Sequence, residues 1–140
     1  MTQIKQMRAD NTELLHSDIT KRIIKCFYEV YNTLGYGFLE KVYETALYLE
    51  LKNENLIVDR QRPIEVYYKN ELVGNYFADL IIENSVIVEI KAAEGIAEEH
   101  EFQLINYLKA TDIEVGLLLN FGKKPEFKRK IFSNDSVKIR

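Results

Sequence analysis

The chain has 140 residues, 46% of them hydrophobic and 29% charged, and a formal net charge of −3. That balance suits one ordinary globular domain and excludes a generally basic coat for nucleic acid. No apolar run approaches the roughly 20 residues of a membrane span, and a single cysteine, Cys26, excludes an internal disulfide.

Residues 1–16 are polar, lack the apolar stretch of a signal peptide and read as a loose leader. With the lone cysteine, this makes the expected location cytoplasmic. Ser17 or Asp18 is positioned to cap a first helix, whose apolar positions Ile19, Ile23, Phe27, Val30 and Leu34 recur at helical spacing. Cys26 lies on that apolar face and reads as core. The two glycines of "NTLGYG" stop the helix. A second helix is expected over 38–53, with Leu39, Val42, Ala46, Leu47 and Leu51 facing the core. "LIVDRQRPIEVYYKN" is β-rich but interrupted by Pro63, which predicts strands near 56–61 and 63–68. A turn at Asn70-Glu71 leads into strands near 72–82 and 85–91, joined through "ENS". Helical spacing returns over 96–110, with Phe102, Ile105 and Leu108 on one side. "EVGLLLN" is a continuous apolar strand expected to be buried on both faces, and a last strand is expected near 127–133.

The order predicts one α/β domain over 17–133, with a mixed central sheet, a β-meander plus a further strand, flanked by helices. Residues 134–140 read as a basic tail. From Phe121 onward seven Lys/Arg face Glu126 and Asp135, which fits a solvated terminus better than a phosphate-binding surface.

Three charges interrupt the apolar strands of "DLIIENSVIVEIKA": Asp79, Glu89 and Lys91. Strand side chains alternate faces, so Ile87, Glu89 and Lys91 share one face and Val88 and Ile90 take the other. Pairing through the tight turn puts Asp79 beside Glu89 and Lys91. Two carboxylates at one sheet position repel and lose hydration. A divalent cation offsets both costs, and oxygen donors suit Mg²⁺ or Mn²⁺ rather than zinc. Lys91 has two readings: a salt bridge to either acid, or a residue that holds an attacking water. "GFLEKVY" sets Glu40 and Tyr43 on neighbouring helix positions, with Glu44 one turn on. "HEFQLINY" sets Gln103 and Tyr107 on one helical face, and His100 falls one turn before Gln103.

Other chemistries fail their context. "GYGFLE" lacks a third glycine and a preceding strand, so it is no dinucleotide loop. One cysteine and two histidines do not make the usual zinc cluster. The acids Glu94, Glu98, Glu99 and Glu101 suit a helix N-terminal region.

In sequence, "GFLEKVY", "FAD", "VEIKA" and "QLINY" together resemble the GxxExxY protein family of the PD-(D/E)xK nuclease-like superfamily, over roughly residues 17–133. The proline expected before Asp79 is replaced by Ala78. The resemblance implies a restriction-endonuclease-like core. It implies Asp79 and Glu89 as metal-binding carboxylates, with the Ile90 carbonyl and Glu40 as further ligands of Mg²⁺ or Mn²⁺. Lys91 is then implied to position the hydrolytic water, and Gln103 to orient the site, with Tyr107 and Tyr43 at the substrate. The implied activity is metal-dependent hydrolysis of nucleic acid, DNA more than RNA. The acidic balance of the chain outside its C-terminal end adds a separate option, a homodimer or partner protein that supplies the positive track. The alternative is a non-catalytic or regulatory module that retains the fold.

Overall fold

A computed structural model describes residues 15–136 and 138–139. Most of the expected leader therefore lies outside the described residues. Helix α1 spans Ser17–Leu34 and α2 spans Glu40–Asn53, followed by strands β1, Val58–Tyr68; β2, Glu71–Ile82; and β3, Val86–Lys91. Helix α3, Glu98–Lys109, then leads to β4, Val115–Phe121, and β5, Pro125–Ile131. The five strands form one sheet in the order β1-β2-β3-β4-β5. Only β3 and β4 run parallel, joined across α3, and the other neighbours are antiparallel. This is the expected α/β architecture with a mixed sheet between helices.

Alternation explains the two cores. Val86, Val88 and Ile90 of β3, with Leu117, Leu119 and Phe121 of β4, pack against Ile23, Phe27, Tyr43 and Leu47 of α1 and α2. On the opposite face Ile81, Ile87 and Leu118 meet Leu104, Tyr107 and Leu108 of α3. Full burial of one such aliphatic or aromatic side chain contributes about 1.5–3 kcal/mol. No helix among the described residues is long and apolar enough to cross a membrane.

Several local expectations are corrected. His16, in left-handed conformation (φ 54°), caps α1 in place of Ser17 or Asp18, without a side-chain hydrogen bond. Leu39 is 81% exposed and Val42 also faces solvent, whereas Tyr43, Glu44, Leu47 and Leu51 are buried. Pro63 does not split β1, because β1 is an edge strand on which the missing N–H is tolerated. The β1–β2 turn falls at Lys69-Asn70, both with positive φ, one residue earlier than expected. On α3 the buried face is Leu104, Tyr107 and Leu108, and Phe102 is exposed. Strand β5 begins two residues before its expected start. Lys138, assigned to a solvated tail, donates to the carbonyls of Leu108, Ile113 and Phe132 and so satisfies carbonyl groups around the end of α3.

Candidate functional site

The β2–β3 ladder runs Ile82↔Val86, Ile81↔Ile87 and Leu80↔Val88 and then stops. Strand β3 continues beside β4 as far as Lys91↔Asn120. Asp79 and Glu89 are the next residues on each strand where the ladder ends, and each carboxylate takes over the missing pairing. The Asp79 N–H donates to Glu89 Oε2 at 2.9 Å, and the Ile90 N–H donates to Asp79 Oδ2 at 2.8 Å. Ile90 thus meets the site through its backbone while its side chain is buried in the α1–α2 core.

The electrostatics follow from this closeness. Burial first, then the Asp79 charge, push the Glu89 carboxyl up to about 8, against the lowering effects of the Asp79 N–H and Lys91. Asp79 is raised as well, chiefly by burial. Glu89 Oε1 accepts no hydrogen bond from the described residues. The pair therefore offers hard oxygen donors whose mutual repulsion a divalent cation would relieve, which fits Mg²⁺ or Mn²⁺ in kind. Among the described residues, however, no group of three or more His, Cys, Asp or Glu is placed to hold a metal ion. Two carboxylates converge. Glu40, in the first turn of α2, is exposed and reaches Glu89 through its charge.

Three residues to which the sequence pattern assigns no role organise the surroundings. Glu44, 4% exposed, binds Arg60 at 3.0 Å and Lys41 at 3.2 Å. Gln61 donates to Glu44 Oε1 at 2.7 Å and to Asp79 Oδ1 at 3.4 Å, linking the two acids. Its backbone is left-handed (φ 51°) opposite Asp79, a conformation costing about 1–2 kcal/mol in a non-glycine residue. Asn120, fully buried, accepts from the Ala93 N–H at 2.9 Å and donates to the Ala93 carbonyl at 3.0 Å. A Cβ at Gly122 would sit 2.3 Å from the same carbonyl oxygen. The chain leaving Lys91 is thus held two residues downstream. The asparagine that closes the apolar run "EVGLLLN" was the available signal.

The remaining expected residues divide. Tyr107 is near the pair: burial, then the charges of Glu89 and Asp79, push its hydroxyl up to about 12. Gln103 lies one turn away and lines a groove with Tyr107. Tyr43 does not face a substrate. It is fully buried, stacked on Phe121 at 4.3 Å, and its hydroxyl donates to Gly35 O and accepts from Phe38 N. His100 accepts from the Ala97 N–H at the start of α3, a capping role. Cys26 is buried, and its thiol is pushed up to about 11 by burial.

A family model described as the PD-(D/E)XK nuclease superfamily matches residues 17–130. The chain belongs to this superfamily. A crystal structure of SSO0001 is similar, with a TM-score of 0.54 and 21% identity over 84% of this chain and 60% of that one. At that identity the likeness is one of fold alone, and it spans less than two thirds of the other chain's length. No curated protein matches the sequence significantly.

Proposed function

We propose that this PD-(D/E)XK domain engages nucleic acid, DNA before RNA, where β2 and β3 diverge. A divalent cation, Mg²⁺ or Mn²⁺, would be held by Asp79 and Glu89, with the Ile90 carbonyl and Glu40 as its further oxygen donors. The observation that carries this reading is the reciprocal bonding of Asp79 and Glu89 to each other's strand. It fixes two acids side by side on a rigid sheet, at the cost of a Glu89 carboxyl raised to about 8. The narrower assignment to the GxxExxY proteins rests on Gly37, Glu40 and Tyr43 in "GFLEKVY". Location in the cytoplasm belongs to the same reading.

Two forms of this function differ in turnover. Binding without turnover has the better support, because among the described residues two carboxylates rather than three meet at the divergence and Glu44 is engaged by Arg60. A regulatory module for nucleic acid or a protein partner would use the site in this way. Hydrolysis is the second form, favoured by Lys91, which ends β3 two residues after Glu89 and lowers the pKa of both acids. When bound, the cation would neutralise phosphate charge and acidify a water. Lys91 would then hold that water and stabilise the charge growing on phosphorus, while Gln103 orients the site.

Calorimetric titration of Mn²⁺ into wild type and Asp79→Ala tests the cation. Binding is expected in wild type alone, and equal heats in both proteins would end the assignment. Incubation with single-stranded, duplex and branched DNA plus Mn²⁺ separates the two forms. Cleavage abolished by Lys91→Ala supports hydrolysis; cation binding with no cleavage supports the module.

A further inference from the structure

A groove of about 530 Å³ lies between the β1–β2 hairpin and α3, lined among others by Val66, Tyr76, Phe102, Gln103, Asn106 and Tyr107. That volume is within the range of small-ligand pockets. Tyr76 is 48% and Phe102 57% exposed, although both are large rings beside an apolar wall. Tyr76 also meets Tyr107 ring to ring, with centroids 5.7 Å apart. The side-chain amides of Gln103 and Asn106, three positions apart on α3, make no hydrogen bond among the described residues. Among the described residues no Lys or Arg lines the groove, and the one charged residue there is Glu99.

This chemistry selects an occupant. With Glu99 present and no Lys or Arg among the described residues of its wall, the groove disfavours phosphate and favours a neutral group. Exposed rings offer stacking surface, and two free amides offer donors and acceptors to the edge of a planar heterocycle. We propose that the groove takes an unpaired nucleobase, so that the domain prefers single-stranded or unstacked nucleic acid over duplex. Tyr107 forms part of the groove and also lies within the field of Glu89 and Asp79. A nucleotide seated there would place its phosphate toward the acid pair, outside the groove. A duplex keeps its bases stacked and paired and presents no such ring. The inference deepens the proposed function and rests on it for the phosphate, but the groove's affinity for a base is measurable without any cation.

The test compares a fluorescein-labelled oligothymidylate of ten nucleotides with an abasic strand of equal length and with a duplex. Binding is followed by anisotropy in chelator and again in Ca²⁺. The expected result is tighter binding of the oligothymidylate than of either control. Tyr76→Ala with Phe102→Ala should weaken it about tenfold, in line with the loss of one base–aromatic stack, and leave the abasic strand unaffected. A second pair, Tyr76→Leu with Phe102→Leu, keeps bulk without rings and should weaken it similarly. Equal affinity for the abasic strand, unchanged binding in both double variants, or no binding of any strand overturns the proposal. Asp79→Asn keeps the two failures apart: it should retain base-dependent binding in chelator and lose the gain from Ca²⁺. Loss of that gain alone speaks to the cation, and loss of base discrimination alone speaks to the groove.

Discussion

Glu44 and Glu89 are equally hidden, 4% and 5% exposed, yet the fold treats them in opposite ways. Glu44 at the α2–β1 junction is surrounded by compensation: Arg60, Lys41 and the Gln61 amide all point at its carboxylate. Glu89 faces a second acid and receives one backbone N–H, and its other oxygen accepts no hydrogen bond from the described residues. A buried charge that is fully matched organises structure, whereas one left partly unmatched stores a cost that a ligand relieves. The contrast separates the acid that builds the domain from the acid available for function.

The largest expected effect breaks the matched side. Arg60→Met leaves Glu44 with only an exposed lysine and an amide, and should destabilise by about 3 kcal/mol, the low end for an orphaned buried ion because Arg60 is itself partly exposed. Urea denaturation measures it. A loss below a few tenths would mean that Glu44 is hydrated in solution and the contrast is false. Adding Glu44→Leu to Arg60→Met should recover much of the loss.

On the unmatched side the sign reverses. Burial and the Asp79 charge push the folded Glu89 carboxyl up to about 8 from the ordinary 4.5, so between those pH values the folded state holds a proton that the unfolded state has released. Stability from this group is then fully present below about pH 4.5 and is lost as pH rises toward 8. Glu89→Gln keeps an acceptor for the Asp79 N–H and removes that loss. It should therefore raise stability by about 2 kcal/mol at pH 7–8, roughly half of what the full shift implies at about 1.4 kcal/mol per unit. The gain should fade toward pH 4.5 in melts run across that range. Mn²⁺ should stabilise wild type and not the variant. A pH-independent gain would show that Glu89 is not strained by its charge.

Much of this was legible in advance, for identifiable reasons. The period-2 pattern of "DLIIENSVIVEIKA" fixed which residues share a face, and a short turn fixed the register, so Asp79 opposite Glu89 followed from parity. The buried strand "EVGLLLN" announced itself by an unbroken apolar run. Helix α2 did so only in part, because two overlapping faces satisfied helical spacing: Leu47 and Leu51 are buried as expected, but Tyr43 won over Leu39 and Val42 by packing on Phe121, which only tertiary contacts decide. Glu44 was invisible as a buried acid because its partner Arg60 lies sixteen residues away on another element. Phe102 misled in a different way. It was read as core by spacing and is instead an exposed ring beside the groove, a departure from pattern at a candidate functional surface.

The smallest expected effect sharpens the same division with two tyrosines. Both Tyr43 and Tyr107 are buried, and both were expected at a substrate. The Tyr43 hydroxyl closes the α1–α2 connection by donating to Gly35 O at 2.7 Å and accepting from Phe38 N at 3.2 Å, around glycines held at φ 70° and 110°. Tyr43→Phe removes both bonds and should cost about 1 kcal/mol, lowering the melting temperature by about 3–5 °C while oligothymidylate binding stays constant. The Tyr107 hydroxyl makes no hydrogen bond among the described residues, so Tyr107→Phe has no such bond to lose. Its stability should change by less than about 0.5 kcal/mol, and its effect should fall on binding, because Tyr107 lines the groove and its hydroxyl feels the charges of Glu89 and Asp79. If instead Tyr43→Phe altered binding and Tyr107→Phe altered stability, the division between a compensated scaffold and an open site would be misplaced by one helix.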